Sequence, residues 1–133
     1  MATTTAKITV TSSDLMGSQA LNLASTATLT DENNSTGTTQ TSGLASKVFG
    51  DTNPVTLFDG DAYGTGSHKL YIKNLETDVT KYFEIKINAE VIGRLYAGVW
   101  AFIPWRAAAD TIDIIVTAGG ASQSLEYMLF YQS

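Results

Sequence analysis

Few side chains in this chain are of a kind and spacing that make or break bonds. His68 is the sole histidine, and it follows Ser67. A Ser-His-Asp arrangement needs the serine hydroxyl against the imidazole, whereas neighbours on a strand point to opposite faces. His68 therefore reads as a structural or solvent-facing residue. One histidine in a chain without cysteine makes no zinc site unless several carboxylates join it. The run Asp59-Gly60-Asp61-Ala62-Tyr63-Gly64 has the outline of a calcium loop, but its fifth ligand position is Tyr63 and its twelfth is Leu70, so it reads as a turn. Gly60, Gly64 and Gly66 lack the strand-loop-helix setting of a phosphate loop. Asp110 and Asp113 would do paired acid–base work only with a third catalytic group, and none is in view. Asn33-Asn34-Ser35-Thr36 contains glycosylation sequons, which carry meaning only in a secreted chain. The expectation is a protein that is not an enzyme and takes no metal or other cofactor.

The densest information lies at residues 93–105, which hold both tryptophans and one of the two arginines, with Arg106 just beyond. Tyr96, Trp100 and Trp105 are of the type that stacks sugar rings in β-sandwich carbohydrate-binding modules. Their company, Leu95, Val99, Phe102 and Ile103, is that of a core or an interface, and both readings are carried forward.

Composition narrows the field. At 133 residues the chain fits one domain, large enough to bury roughly two-thirds of its unfolded surface without disulfides or metals. It is 44% hydrophobic but only 16% charged, so its surface leans on Ser and Thr and tolerates close neighbours. The net charge is −5 and the six lysines are dispersed, which argues against nucleic acid, whose phosphates call for clustered Lys and Arg. No apolar run approaches the roughly 18 residues of a membrane helix. The opening Met1-Ala2-Thr3-Thr4-Thr5 has neither the basic nor the apolar region of a secretory signal, so the chain is expected to be made and kept in the cytosol.

The elements that would position these residues are strands. Residues 1–48 contain no aromatic residue, and 19 of the first 46 are Ser or Thr; that part could not bury a core alone. The expectation is a single domain over residues 1–133, with 1–13 as a candidate extended arm. Period-two alternation marks strands at 8–10, 21–30, 55–58, 69–73, 82–87, 91–96, 99–103, 111–117 and 124–132. Residues 31–37 read as a loop and 39–49 are weakly patterned. Residues 118–121 (Ala-Gly-Gly-Ala) read as a hairpin connection between the last two strands. A short helix at 14–19, capped by Ser13 or Asp14, is the one helical possibility. Eight to ten short strands predict an all-β, antiparallel, jelly-roll-like β-sandwich.

Two strands are apolar on both faces. Leu125, Tyr127, Leu129 and Tyr131 alternate with Met128 and Phe130; Val99, Ala101, Ile103 and Trp105 alternate with Trp100 and Phe102. One apolar face suffices for a two-layer sandwich. The second face is therefore either covered by a loop or strand of the chain, or is a subunit contact. Tyr96, Trp100, Phe102, Trp105, Met128 and Phe130 are the candidate contact residues. Pro104, which has no N–H for the ladder, is expected to end its strand.

The segments Lys69-Leu70-Tyr71-Ile72-Lys73-Asn74, Tyr82-Phe83, and Gly93-Arg94-Leu95-Tyr96-Ala97-Gly98 through Trp100, Phe102, Pro104 and Trp105 resemble small virion structural proteins of tailed marine phages, cyanophages especially. The Thr-rich start, Ile8-Thr9-Val10-Thr11 and residues 21–30, is similar too. The resemblance implies a non-enzymatic virion component, and we take a capsid decoration or cement protein as the leading expectation. Its partners would be itself, as a homotrimer, and the major capsid protein, on the capsid exterior. A tail or neck position and a carbohydrate-binding or receptor-contact module are the alternatives.

Overall fold

In the computed structural model, residues 4–29, 40–63, 66, 68–107 and 112–131 are described. The chain falls into two compact units, Met1–Thr38 and Thr39–Ser133, where composition alone suggests one. The expected loop at 31–37 and the Asn33 and Asn34 sequons lie outside the described residues.

The first unit is a long antiparallel hairpin of β1 (Thr5–Met16) and β2 (Gln19–Thr28). Its register is continuous from Thr5↔Thr28 to Ser12↔Leu21 and shifts between Ser12 and Met16. The alternation read from sequence sets the faces. Ala6, Ile8, Val10 and Ser12 lie opposite Ala27, Ser25, Leu23 and Leu21 on one side, and Thr and Asn dominate the other. Near the tip the Ser12 hydroxyl accepts from the Leu15 N–H at 3.1 Å, and the Gly17 N–H donates to the Asp14 carbonyl at 3.1 Å. Gly17 has φ +70°, which a residue with a Cβ adopts only with strain. These contacts reverse the chain, so the short helix envisaged at 14–19 does not form. Residues 5–13 of the candidate arm belong to β1, and residues 5–12 are paired with β2.

The second unit is a two-layer sandwich. Its strands are β3 (Gln40–Thr41), β4 (Ala45–Phe49), β5 (Val55–Phe58), β6 (His68–Asn74), β7 (Tyr82–Ile87), β8 (Glu90–Tyr96), β9 (Trp100–Trp105), β10 (Ile114–Ala118) and β11 (Gln123–Tyr131), with one helical turn, α1 (Gly60–Tyr63). One sheet has the order β5-β10-β7-β8. The other has the order β3-β11-β6-β9, with β4 also on β11. The pairings β4–β11, β5–β10, β6–β9 and β7–β8 are nested, first strand with last, and all antiparallel. This is the jelly-roll winding.

The weakly patterned stretch 39–49 supplies β3 and β4, which take successive lengths of one β11 edge. The last two strands are not a hairpin. β10 and β11 lie in different sheets, and the Gly119-Gly120 segment carries the chain from one layer to the other. Gly119 sits where a Cβ would come within 2.7 Å of the Tyr82 ring, and its N–H donates to the Tyr82 carbonyl at 2.9 Å. That close approach, and not a tight reversal, is what glycine serves there.

The core lies between the layers. Phe83, Ile85, Ile114 and Val116 from one sheet meet Leu70, Ile72, Leu125 and Leu129 from the other, all at or near zero exposure. Full burial of such side chains stabilises by roughly 1.5–3 kcal/mol each. Two buried amides clasp the layers at one end. Asn74 on β6 donates to the Leu95 carbonyl of β8 at 2.9 Å, and Gln123 on β11 donates to the Tyr82 carbonyl of β7 at 2.9 Å. The described residues contain no helix long and apolar enough to cross a membrane.

Candidate interaction surface

The two strands that read as apolar on both faces, β9 and β11, flank β6 in one sheet. Their inner faces supply Ala101, Ile103 and Trp105, and Leu125, Tyr127 and Leu129, to the core. Their outer faces meet across β6 in three rows. Glu126, Lys73 and Trp100 form the first, Met128, Tyr71 and Phe102 the second, and Phe130, Lys69 and Pro104 the third. With strands about 4.8 Å apart, each row brings its three residues side by side. The result is one outward sheet face on which Tyr71, Trp100, Phe102, Met128 and Phe130 stand among Lys69, Lys73 and Glu126.

The geometry knits this face laterally. Phe102 and Phe130 approach to 6.1 Å between ring centroids at 58°. The Tyr71 hydroxyl donates to the Glu126 carboxylate at 2.9 Å. Burial first, and then that carboxylate, push the Tyr71 hydroxyl above its ordinary pKa. Trp100 stands 46% exposed at the margin, while Phe102, Met128 and Phe130 are half-buried. Pro104 lies one residue before the end of β9, an edge strand where a missing N–H costs the ladder little.

Four of the six candidate contact residues, Trp100, Phe102, Met128 and Phe130, thus share this face. Tyr96 does not. It belongs to β8 of the other sheet, beside Tyr82 at 5.6 Å between centroids. There Arg94 lies over the Tyr82 ring at 4.3 Å and bonds Glu84 at 3.3 Å. Hydrogen bonding to Tyr96, then to Glu84, raises the Arg94 pKa.

Trp105 is corrected as a contact residue. It is 2% exposed, packs on Phe58, Tyr63 and His68, and its indole N–H donates to the Ile112 carbonyl at 2.9 Å. A side chain spent in the core presents nothing to a partner. Tyr96, Trp100 and Trp105 therefore form no common sugar-stacking platform. Tyr71 was absent from the candidates, although the alternation Lys69-Leu70-Tyr71-Ile72-Lys73 already sets it opposite the buried Leu70 and Ile72.

His68 is fully buried among Tyr63, Trp105 and Tyr131. Asp59 is a turn residue: its carboxylate accepts from the Asp61 N–H at 2.9 Å as α1 begins. Asp113 accepts from the Gly60 N–H at 2.8 Å. Gly64, Ser67 and Asp110 lie outside the described residues. Among the described residues no three His, Cys, Asp or Glu side chains gather as a metal site would require. No family model matches the chain, and no curated protein sequence does.

Proposed function

We propose that this protein is a non-enzymatic structural component of a phage virion, a decoration or cement protein on the capsid exterior. Made in the host cytoplasm, it binds the assembled shell as a homotrimer and bridges neighbouring copies of the major capsid protein. The observation that carries the reading is the cluster of Tyr71, Trp100, Phe102, Met128 and Phe130 on the outside of a jelly-roll sheet. A two-layer sandwich needs only one apolar face per strand, and exposed apolar side chains on the other face are the kind of surface that meets a partner. The resemblance to small virion proteins of marine phages points the same way, and jelly rolls recur in viral capsid domains, which is an analogy of fold.

The mechanism is stabilisation by binding. A surface that is buried only on the assembled shell shifts the equilibrium toward that shell by mass action. The test is add-back of the purified chain to shells that lack it, followed by heating. Saturable binding and a higher temperature of genome release are expected. Shells that bind none of it, or bind it without any gain in heat tolerance, would count against the reading. The same surface chemistry would serve a tail or neck position, which the add-back separates by where the chain binds.

A glycan-binding or receptor-contact role is the second reading, favoured by Trp100, which is 46% exposed at the margin of its sheet. Since Trp105 is buried, Trp100 is the tryptophan that would report a bound sugar. A saturable shift of its fluorescence on a glycan panel would favour this reading over the first.

A further inference from the structure

The two outer faces of the sandwich handle their charges differently. On the sheet β5-β10-β7-β8, one carboxylate serves two cations: Glu84 lies 3.3 Å from Arg94 and 3.9 Å from Lys86. On the sheet β3-β11-β6-β9, Lys73 stands in register between Glu126 and Trp100, and side chains so opposed have Cβ atoms about 5 Å apart. Glu126 nevertheless accepts from the Tyr71 hydroxyl at 2.9 Å, and Lys73 makes no ion pair among the described residues. Lys69, on the other side of Tyr71 along β6, brings a second cation to the same three rows, which hold the single carboxylate of Glu126. The face is thus locally positive on a chain whose net charge is −5.

We propose that the partner surface docking here presents a carboxylate to Lys73 and, next to it, an apolar side chain to Trp100 and Phe102. It is an acidic and apolar patch of the capsid protein. Charge complementarity selects that chemistry. A basic patch would meet two lysines, and like charges set against each other across an interface are strongly unfavourable. A wholly apolar patch would take the Lys73 ammonium out of water and leave its donors unmet. A carboxylate meets them with a charge-assisted hydrogen bond, the stronger kind. The excess of carboxylates elsewhere on the chain disfavours docking of the same acidic patch through another face. This partner chemistry rests on the capsid role proposed above and specifies the surface that is met.

Add-back of the full chain to shells that lack it, at about 0.05 M and about 0.5 M salt, tests this. Wild-type affinity should fall across that range, because salt screens the pair. Lys73→Glu should bind about tenfold more weakly or worse. Lys73→Met keeps an unbranched stem and drops the charge; it should bind more weakly and lose most of the salt dependence. Lys86→Met, on the opposite sheet, should keep both affinity and salt dependence. Thermal melts establish that each variant is folded. Wild-type affinity in folded Lys73→Glu, or a wild-type salt dependence in Lys73→Met, overturns this inference alone. A wild-type chain that binds no shells overturns it together with the capsid role. If polygalacturonate then shifts tryptophan fluorescence saturably in the wild type and not in Lys73→Met, the occupant is an acidic glycan instead.

Discussion

The Asn74 amide reaches from one sheet to the other, donating to the Leu95 carbonyl at 2.9 Å while its own oxygen accepts from the Glu76 N–H at 2.9 Å. It also donates to the Lys81 carbonyl at 3.3 Å. Asn74 is fully buried, so water cannot replace these bonds. Asn74→Ala should cost about 2–4 kcal/mol, because the polar groups left behind remain buried and unpaired. Chemical denaturation checks this; a loss below about 1 kcal/mol would mean that the clasp is dispensable.

The two tryptophans should separate folding from assembly. Trp105→Ala empties the centre of a ring cluster and should destabilise by about 3–5 kcal/mol. Trp100→Ala, at the exposed margin of the aromatic face, should cost about 1 kcal/mol or less in thermal or chemical melts. Phe102→Ala and Phe130→Ala should cost more than Trp100→Ala in stability, since both rings are half-buried. All three outward variants should weaken binding to shells, and normal shell binding in every one of them would exclude this face as the contact.

Acid should loosen the loop that follows β6. The Ser124 N–H at 2.7 Å, and then the Lys81 ammonium at 3.2 Å, hold Glu76 below its ordinary value of 4.5. A carboxylate depressed in the folded state contributes its stability above the ordinary value and loses it as pH falls through the folded one. Stability should therefore decline below about pH 4.5, and less steeply in Glu76→Gln, whose amide oxygen still accepts from Ser124. Asp78 is depressed as well, by the Thr80 N–H and hydroxyl, so the difference between the two proteins isolates Glu76. Parallel pH profiles would contradict the assignment.

Gly119 and Tyr82 should be coupled. An alanine Cβ at 119 would lie 2.7 Å from the Tyr82 ring, and the ring can swing away only by leaving Arg94. Gly119→Ala should cost about 1 kcal/mol in the wild type and almost nothing in a Tyr82→Ala background. Equal costs in the two backgrounds would show that the backbone at 119, and not the ring, demands glycine.

Local pattern carried most of the sandwich. The period-two runs around Leu70, Phe83 and Leu125 become β6, β7 and β11 with the inner faces expected of them. The short helix at 14–19 failed because a serine side chain and a positive-φ glycine close a reversal that composition does not distinguish from a helix cap. The supposed final hairpin failed because whether a Gly-Gly link turns within a sheet or crosses between sheets depends on distant partners, β7 for β10 and β6 for β11. The aromatic face was legible as two separate apolar stripes. That they converge across Tyr71 follows from strand order, which no local signal encodes. Trp105 carried the same alternation as Ile103, and its membership of the inner face was the available clue to its burial.

The most direct measurement of the proposed role is an electron cryomicroscopy reconstruction of a phage shell after addition of this chain. Density for the jelly roll is expected at threefold or quasi-threefold positions, with Tyr71, Phe102, Met128 and Phe130 turned onto the capsid surface. A shell without that density, or one that bears the sandwich with this face turned to solvent, would contradict it.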